Sequence, residues 1–317
     1  MRPRPSRRRR CGLLGLSLVL LSLRRQHSAW AFHPLSDHHA RYDFQALSKT
    51  CPELLSHVFV SPKTRENTVD WSSPDAVSCL NKALLMQHYG ISSAYSVPAP
   101  YLSAGVPGRA DYVHHLLADL VDAPGRGDAT LRGLDIGTGA NAIFPLIATH
   151  KYPNVEIVGT DIDAAALAVA SLNVQCSPSA ARRVTLRLQP SARSIFANVI
   201  HPGEHFAFTM CNPPFHASLA AAQAATARKA RNLSSGRNFA GDKELYCEGG
   251  ELGFITRMMG ESAQHRQSLG WVTTLVSAGS NLAALERVLA GLSVRRVEVV
   301  PLEAGHKSTR ILAWRFN

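Results

Sequence analysis

The amino-acid sequence predicts an α/β fold in which helices cover a mostly parallel β-sheet. Strands and helices are predicted to alternate through the middle of the chain, and strands separated by helices usually run parallel. A glycine turn, Gly137 to Gly139, follows the first of these strands and precedes an apolar helix. Asp135, Asp161 and Asn212 fall at strand ends, the edge at which such sheets bind ligands. The sequence therefore predicts one cleft that holds all three side chains.

Residues 32–125 precede this alternation, and their apolar spacing predicts a helical extension. Helical patterns run over residues 76–89 and 110–121. Three prolines separate the two patterns: Pro98, Pro100 and Pro107. Because proline cannot continue a helix, we expect separate helices that form a cap before the sheet. The α/β domain is then expected to cover residues 126–317.

Within the α/β domain, short apolar runs predict strands and longer runs with helical spacing predict helices. The first half is expected to contain strand 133–136, helix 142–150, strand 155–160, helix 164–175, strand 184–188, a helix near 192–200 and strand 206–211. The second half is expected to contain helix 250–265, strand 270–276, helix 280–290 and strands 294–300 and 310–316.

The glycine turn and its neighbouring acids indicate a nucleotide-like cofactor. Gly137 and Gly139 allow a tight turn and a close approach to a ligand. Asp161 follows at the position from which a carboxylate accepts hydrogen bonds from ribose hydroxyls. The run Gly137 to Ala142 also matches the fingerprint of a nicotinamide or flavin site. Asp135, however, would crowd a pyrophosphate, whereas it suits the cationic amino-acid end of S-adenosylmethionine.

The residues after the last strand of this alternation predict a site that holds a flat amine. The strand ends in Asn212, Pro213, Pro214 and Phe215, and the two prolines stiffen the turn because they cannot continue a ladder. The Asn212 side-chain oxygen and the Pro213 carbonyl can accept the two N–H groups of an exocyclic amine. Phe215 can stack on the base that carries the amine. Together with Asp135, this arrangement favours S-adenosylmethionine over the other cofactors.

Two motifs carry a resemblance to a known family: Asp135 to Asn141, Asp-Ile-Gly-Thr-Gly-Ala-Asn, and Cys211 to His216, Cys-Asn-Pro-Pro-Phe-His. Further matching blocks are His33-Pro34, His38 to Phe44, Val106 to His114, Asn238 to Gly241, Tyr246 to Glu251 and Gly305 to Arg310. On these residues the chain resembles the adenine-N6 methyltransferases that modify bacterial 23S ribosomal RNA. That family includes the eukaryotic enzyme that methylates U6 small nuclear RNA. The resemblance covers the chain from about His33 to Asn317.

The resemblance implies a class I S-adenosylmethionine-dependent methyltransferase, whose Rossmann-like sheet ends in a reversed hairpin. Residues 126–317 would then be the methyltransferase domain. Four residues are implied to contact the cofactor or the target amine: Gly137, Asn141, Asp161 and Asn212. Arg109 is implied to lie near the methionine carboxylate, which its planar fork can bind bidentately. Asn141 stands where some relatives carry Ser or Cys.

The predicted activity is methylation of adenine N6 in large-subunit ribosomal RNA. A base must leave its stack to reach such a pocket, so we expect an unpaired or weakly paired target. Other readings remain open: U6 small nuclear RNA as the substrate, or guanine N2 in ribosomal RNA, since guanine-N2 enzymes also use Asn-Pro-Pro-Phe-His. A non-catalytic RNA-binding protein and a protein-glutamine methyltransferase are further alternatives.

The net charge of +11 is a poor argument for RNA binding. Of the 34 basic residues, eight lie in residues 1–31, which contain no acid; the remaining 26 face 23 acids, a charge of only +3. RNA affinity must therefore come from local patches. The candidate RNA contacts lie in a cationic segment after Phe215 and near the last strand: Arg228, Lys229, Arg231, Arg237, Lys307 and Arg310.

Residues 1–31 have the composition of a targeting leader. A basic head, Met1 to Arg10, precedes an apolar run, Cys11 to Leu23, which is too short to span a bilayer as a helix. Ala29 to Ala31 resembles a small-x-small cleavage site. We expect an organelle leader for a plastid or mitochondrion, with an export signal and a misassigned start codon as alternatives. Bacterial-type relatives would act in the cytoplasm.

Cysteine and histidine spacing predicts no metal site. The six cysteines are scattered without a Cys-x-x-Cys pair, which favours a reducing compartment over a disulfide framework. His38-His39 and His114-His115 have no acidic or cysteine partner at ligand spacing. We further expect a monomer that makes no stable membrane association after removal of the leader.

Overall fold

The computed structural model describes residues 32–101, 103–214, 247–304 and 307–317, without the side chains of residues 303, 304, 307 and 308. The predicted leader, residues 1–31, lies outside these ranges. Within them, no helix combines the length and the apolar character that a membrane crossing requires.

The extension consists of helices, as expected, and of a small antiparallel strand pair that was not predicted. Its helices are α1 (Phe44–Thr50), α2 (Pro74–Tyr89) and α3 (Val106–His114), and its strands are β1 (Val58–Val60) and β2 (Asn67–Val69). A π-helix over His115–Leu120 continues α3, and 3₁₀ helices cover Pro52–His57 and Pro124–Arg126. The side chains of Asp43 and Ser73 cap α1 and α2 by accepting backbone N–H groups.

Seven strands form the central sheet, in the order β5-β4-β3-β6-β7-β9-β8. They are β3 (Leu131–Ile136), β4 (Val155–Asp161), β5 (Val184–Leu188), β6 (Phe206–Cys211), β7 (Leu269–Val276), β8 (Arg296–Ala304) and β9 (Lys307–Arg315). Strands β3 to β7 pair in parallel, whereas β9 runs antiparallel to both β7 and β8. The predicted α/β fold and its reversed C-terminal hairpin are therefore confirmed.

Helices cover both faces of the sheet. They are α4 (Ile143–Lys151), α5 (Ala164–Gln175), α6 (Ala180–Arg183), α7 (Gly250–Gln264) and α8 (Leu282–Gly291). One buried cluster joins Tyr89 and Leu116 of the extension to Phe208 and Trp271 of the sheet. The second cluster packs α7 and α8 against the opposite face, around the buried Trp314. The extension thus shares a hydrophobic core with the sheet.

The prediction of a helix near 192–200 is wrong, because these residues form turns. The Glu261 carboxylate of α7 accepts hydrogen bonds from three successive backbone N–H groups, those of Ile195, Phe196 and Ala197, at 2.8, 2.7 and 3.4 Å. A distant side chain thus takes donors that a helix would have paired internally.

Candidate active site

Asp135, Asp161 and Asn212 meet at one edge of the sheet, as predicted. Asp135 lies near the end of β3, Asp161 ends β4, and Asn212 directly follows β6. β3 pairs with β4 on one side and with β6 on the other, with Ile136 opposite Cys211. The chain fills the sheet outward in both directions from β3, so the cleft lies where strand order reverses. Open α/β sheets bind their ligands at such a point.

The glycine residues form the tight turn that the sequence predicted. Gly137 and Gly139 have φ angles of 72° and 61°, in the left-handed region that glycine tolerates best. The N–H groups of Gly137 and Thr138 both donate to the Thr160 carbonyl at 2.9 Å. The Gly139 N–H donates to Asp161 Oδ2, also at 2.9 Å. The turn is therefore tied to the end of β4.

Asp161 orders the loops around it and keeps acceptor capacity for a ligand. Its second oxygen, Oδ1, accepts the Asp163 N–H at 2.9 Å. Each carboxylate oxygen has a further lone pair, which could accept a ribose hydroxyl. Ile162 and Leu188, beside Asp161 at the ends of β4 and β5, are half-exposed apolar residues. They offer an apolar surface for the face of a nucleobase.

Asp135 is fully buried, and neither carboxylate oxygen has a hydrogen-bond partner among the residues that the structure describes. Burial raises the pKa of this carboxyl to about 7, and the nearby Thr138 hydroxyl opposes that effect. The Thr138 hydroxyl does not form a hydrogen bond with this carboxylate. Among the described residues, Thr138 Oγ1 is itself buried without a partner. A buried polar group without a partner is costly, so these atoms mark a place where a donor is missing.

Asn212 presents a second unsatisfied acceptor. Its Oδ1 lies directly after β6 and is buried, with no hydrogen-bond partner in the described part of the chain. Pro213 and Pro214 follow without secondary structure, so the turn is stiff, as predicted. An amine that entered here would find a free acceptor already in place.

Arg109 supplies the positive charge of the site. It lies in α3, with its guanidinium carbon 5.9 Å from the centre of the Phe144 ring, in the helix that follows the glycine turn. Burial lowers the pKa of Arg109 to about 10. Within the part of the chain that the structure describes, no carboxylate forms an ion pair with it. A ligand carboxylate would satisfy this cation.

Asn141, by contrast, uses its side chain inside the turn. Its Oδ1 accepts the Ile143 N–H at 2.9 Å, and its backbone carbonyl accepts the Tyr95 hydroxyl at 3.2 Å. The structure therefore gives Asn141 a role in shaping the glycine turn, and its predicted contact with the cofactor remains a prediction.

These groups fit S-adenosylmethionine. Its amino-acid end carries an ammonium and a carboxylate, which match the Asp135 carboxyl and the Arg109 guanidinium. The glycine turn and Asp161 suit its ribose, and Asn212 faces an incoming amine.

Most of the predicted contacts with the substrate lie outside what the structure describes. Phe215 and the cationic residues Arg228, Lys229, Arg231 and Arg237 are outside the described ranges, as is the side chain of Lys307. Arg310 lies opposite Val276 at the end of β7, and its guanidinium packs against Gly279. Its predicted RNA contact therefore remains a prediction.

Sequence reasoning missed three residues near the cleft. Tyr112 and Glu251 lie within blocks that carry the family resemblance, but no role followed from their positions. Tyr112 is buried beside Cys211, and Glu251 binds the loop after β7. Thr273 contacts both Tyr112 and β6, and nothing in the sequence indicated this.

The structure corrects the expectation that His115 lacks an acidic partner. His115 Nδ1 lies 3.0 Å from Asp119, and His33 Nε2 lies 3.6 Å from the same carboxylate. Leu35 N–H donates to His33 Nδ1 at 3.1 Å, so the proton of a neutral His33 lies on Nε2, which then has no lone pair for a metal. Cys51, Glu53 and Cys79 form a second group of potential ligands.

A seven-stranded sheet with a reversed hairpin, a glycine turn and these unpaired groups define a class I S-adenosylmethionine-dependent methyltransferase. A family model described as RNA methyltransferase matches residues 26–317. The chain belongs to this RNA methyltransferase family.

Named relatives support the same conclusion. The chain is 46% identical over 292 residues to the ribosomal RNA large subunit methyltransferase F of Cronobacter sakazakii, covering 90% of this chain and 93% of that protein. It is 41% identical over 297 residues to the protein of the same name from Desulfotalea psychrophila, covering 90% and 94%.

Solved structures show the same fold. The catalytic domain of human METTL16, in complex with MAT2A 3′UTR hairpin 1, aligns with a TM-score of 0.80 at 28% identity, covering 90% of this chain and 96% of that one. The N-terminal domain of human METTL16 in complex with SAH aligns with a TM-score of 0.74 at 25% identity, covering 90% and 99%. The predicted family and cofactor are thereby confirmed.

Proposed function

We propose that this chain transfers a methyl group from S-adenosylmethionine to the N6 amine of an adenine in large-subunit ribosomal RNA. The unpaired Asn212 Oδ1 beside the cofactor cleft carries this proposal, because an exocyclic amine is the donor that it lacks. The relatives from Cronobacter sakazakii and Desulfotalea psychrophila support this substrate, because both are named ribosomal RNA large subunit methyltransferase F.

Arg109 and Asp135 orient the methyl donor in this mechanism. Arg109 would bind the donor's carboxylate, and Asp135, as the carboxylate, would accept hydrogen bonds from its ammonium. Asp161 would accept hydrogen bonds from its ribose hydroxyls. When bound, S-adenosylmethionine would supply an electrophilic methyl carbon on a sulfonium.

Asn212 and Pro213 prepare the acceptor. An adenine amine is a poor nucleophile because its lone pair is delocalised into the ring. Hydrogen bonds from its two N–H groups to Asn212 Oδ1 and the Pro213 carbonyl favour a pyramidal nitrogen, whose lone pair can attack. The main contribution is positioning, an effect of up to about 7–11 kcal/mol in well-oriented systems.

Unmodified 23S ribosomal RNA and labelled cofactor test the activity directly. We expect N6-methyladenine after nucleoside analysis, and a fall in kcat of at least about 100-fold for Asn212→Ala, because the amine loses its acceptor. Asn67→Ala is the matched control, since Asn67 is exposed in β2, away from the cleft. N2-methylguanine as the product, or full activity of Asn212→Ala, would contradict the proposal.

U6 small nuclear RNA is a second candidate substrate, favoured by the structural similarity to human METTL16. Parallel assays with U6 RNA and 23S RNA distinguish the two substrates by kcat/KM.

We also propose that the enzyme is a monomer. We further propose that it needs no metal, because the sulfonium already activates the methyl group. Light scattering and an assay in EDTA test these two points.

We propose that residues 1–31 direct the enzyme to an organelle that contains ribosomes. Their basic head and short apolar run support this proposal. A fluorescent protein fused after Ala31 should enter a plastid or mitochondrion, and a diffuse cytoplasmic signal would contradict it.

A further inference from the structure

The ladder between β6 and β7 ends before the strands do. The parallel pairs are Phe206 with Leu269 and Phe208 with Trp271. Beyond them, side chains replace the ladder: Thr273 N–H donates to Thr209 Oγ1 at 3.1 Å, and Thr273 Oγ1 donates to the Thr209 carbonyl at 2.6 Å. β3 pairs with the end of β6 on one side. On the β7 side, the last residues of β6, which lead into Asn212, are therefore held by side chains.

Tyr112 of α3 completes this arrangement. It is fully buried, and its hydroxyl accepts the Cys211 N–H at 3.3 Å and lies 2.6 Å from Thr273 Oγ1. Because the Thr273 proton goes to the Thr209 carbonyl, which can only accept, Tyr112 must donate its own proton to Thr273. The hydrogen bonds thus run from Cys211 through Tyr112 and Thr273 and return to β6 at Thr209.

The same helix also faces the cofactor side of the cleft. Arg109 lies one turn before Tyr112 in α3. The Tyr112 ring packs edge-on against Phe144, with centroids 5.2 Å apart, and Arg109 faces that ring too. Asp135 lies opposite Met210 in the ladder between β3 and β6, and Met210 precedes Cys211, whose N–H the Tyr112 hydroxyl accepts. One helix of the extension therefore contacts both halves of the site.

We propose that Tyr112 is a positioning residue for methyl transfer. Its hydroxyl holds the backbone of Cys211, and with it the Asn212 side chain, at a constant position relative to Arg109. Through Tyr112, the extension then helps to position the residues of the active site. The proposal rests on the proposed function, since it assumes that Asn212 binds the target amine.

The kinetic test compares Tyr112→Phe with Tyr89→Phe in the full chain. Tyr89 is the matched control, because it is equally buried and its hydroxyl hydrogen-bonds to His38 at 2.9 Å, in the extension. We expect Tyr112→Phe to lower kcat by about 10- to 100-fold, the loss that a misplacement of about 1 Å can cause. The dissociation constant of S-adenosylhomocysteine should stay near that of the wild type. Tyr89→Phe should keep the wild-type kcat.

Variants of Thr273 separate positioning from packing. Thr273→Val removes the hydroxyl at similar volume and should reproduce the loss in kcat. Thr273→Ser keeps the hydroxyl and should restore most of the activity. If Thr273→Val and Thr273→Ser are equally active, or if Tyr112→Phe weakens cofactor binding and kcat alike, the positioning role is wrong.

A spectroscopic measurement keeps this test independent of the RNA substrate. With ¹⁵N-labelled asparagine, the Asn212 side-chain amide gives an NMR signal that is identified by its loss in Asn212→Ala. We expect this signal to shift and broaden in Tyr112→Phe but to be unchanged in Tyr89→Phe. An unchanged signal overturns the positioning role even if the enzyme methylates RNA. A shifted signal in a chain that methylates no RNA supports the positioning role and overturns only the proposed function.

Discussion

Asp135, Thr138 and Asn212 bury polar atoms that have no partner among the described residues, and such atoms typically cost about 1–3 kcal/mol each. All three lie where the ends of β3 and β6 meet. We propose that the chain retains this cost because bound cofactor and substrate satisfy these atoms. We therefore expect the residues that bind ligand to destabilise the free protein.

Replacement of Asp135 tests this trade-off. Asp135→Asn should weaken S-adenosylhomocysteine binding about 10- to 100-fold, because a charge-assisted hydrogen bond contributes about 1.5–3 kcal/mol. The same change should raise the melting temperature of the free protein, since it removes a buried carboxyl. Titration calorimetry and thermal unfolding measure the two effects. The exposed Asp128→Asn is the control, and a loss of both binding and stability in Asp135→Asn would contradict the prediction.

The pH dependence of cofactor binding follows from the same carboxyl. Its pKa is raised to about 7, so Asp135 is mostly neutral below that pH and mostly charged above it. Only the charged form attracts an ammonium, and affinity should therefore increase as the pH rises through about 7. Calorimetry on both sides of this pH measures the slope. In Asp135→Asn the slope should disappear; a slope that persists would assign it to another group.

Helix α7 organises two loops at the edge of the cleft. Near its start, Glu251 accepts hydrogen bonds from the N–H groups of Ser277 and Ala278, at 2.7 and 3.1 Å. Near its end, Glu261 accepts the three N–H groups of residues 195–197. These loops follow β7 and β5, so α7 fixes the backbone that leaves two strands of the sheet.

Removal of the Glu261 carboxylate tests how the turns before β6 are held. Glu261→Ala should lower the free energy of unfolding by about 2 kcal/mol, because three backbone donors lose their acceptor. Urea denaturation measures the change. Glu286→Ala, an exposed glutamate of α8, is the control and should have little effect. Equal stabilities of the two variants would show that the turns are held by other contacts.

At the scale of the whole molecule, buried neutral histidines join parts of the N-terminal extension to one another and to the residue that follows α4. His38 Nε2 lies 2.9 Å from the Tyr89 hydroxyl, and His114 Nδ1 lies 2.9 Å from that of Tyr152. Burial lowers the pKa of His38 and of His114 to about 4. The start of the extension, helices α2 and α3 and the end of α4 are thereby joined by histidines that stay neutral in mild acid.

This network predicts a loss of stability in mild acid. In the unfolded chain these histidines bind protons below pH 6.5, whereas in the folded chain they stay neutral down to about pH 4. Their contribution is therefore complete above pH 6.5 and is lost as the pH falls towards 4. Urea denaturation across this range should show a smaller slope for His114→Gln than for the wild type. His205→Gln, at an exposed position, should keep the wild-type slope; an unchanged slope in His114→Gln would contradict the prediction.

The local pattern of the sequence determined most of the catalytic sheet. Strands 184–188 and 206–211 and helix 164–175 end where they were predicted. Apolar periodicity and turn residues act over a few neighbouring positions, so they can be read without the fold. The same holds for the placement of Asp135, Asp161 and Asn212 at strand ends, which the parallel topology then brings together.

Only the tertiary structure decided which groups are left unpaired and which distant side chains hold the cleft. The turns at 192–200 depend on Glu261, and the end of β6 depends on Tyr112 and Thr273. These hydrogen bonds join positions that are far apart in the chain, and no periodicity encodes them. The sequence predicted the extension as a cap before the sheet, whereas in the structure the extension and the sheet share one hydrophobic core. Only the tertiary structure could show this, because the burial of a surface depends on what packs against it in the folded chain.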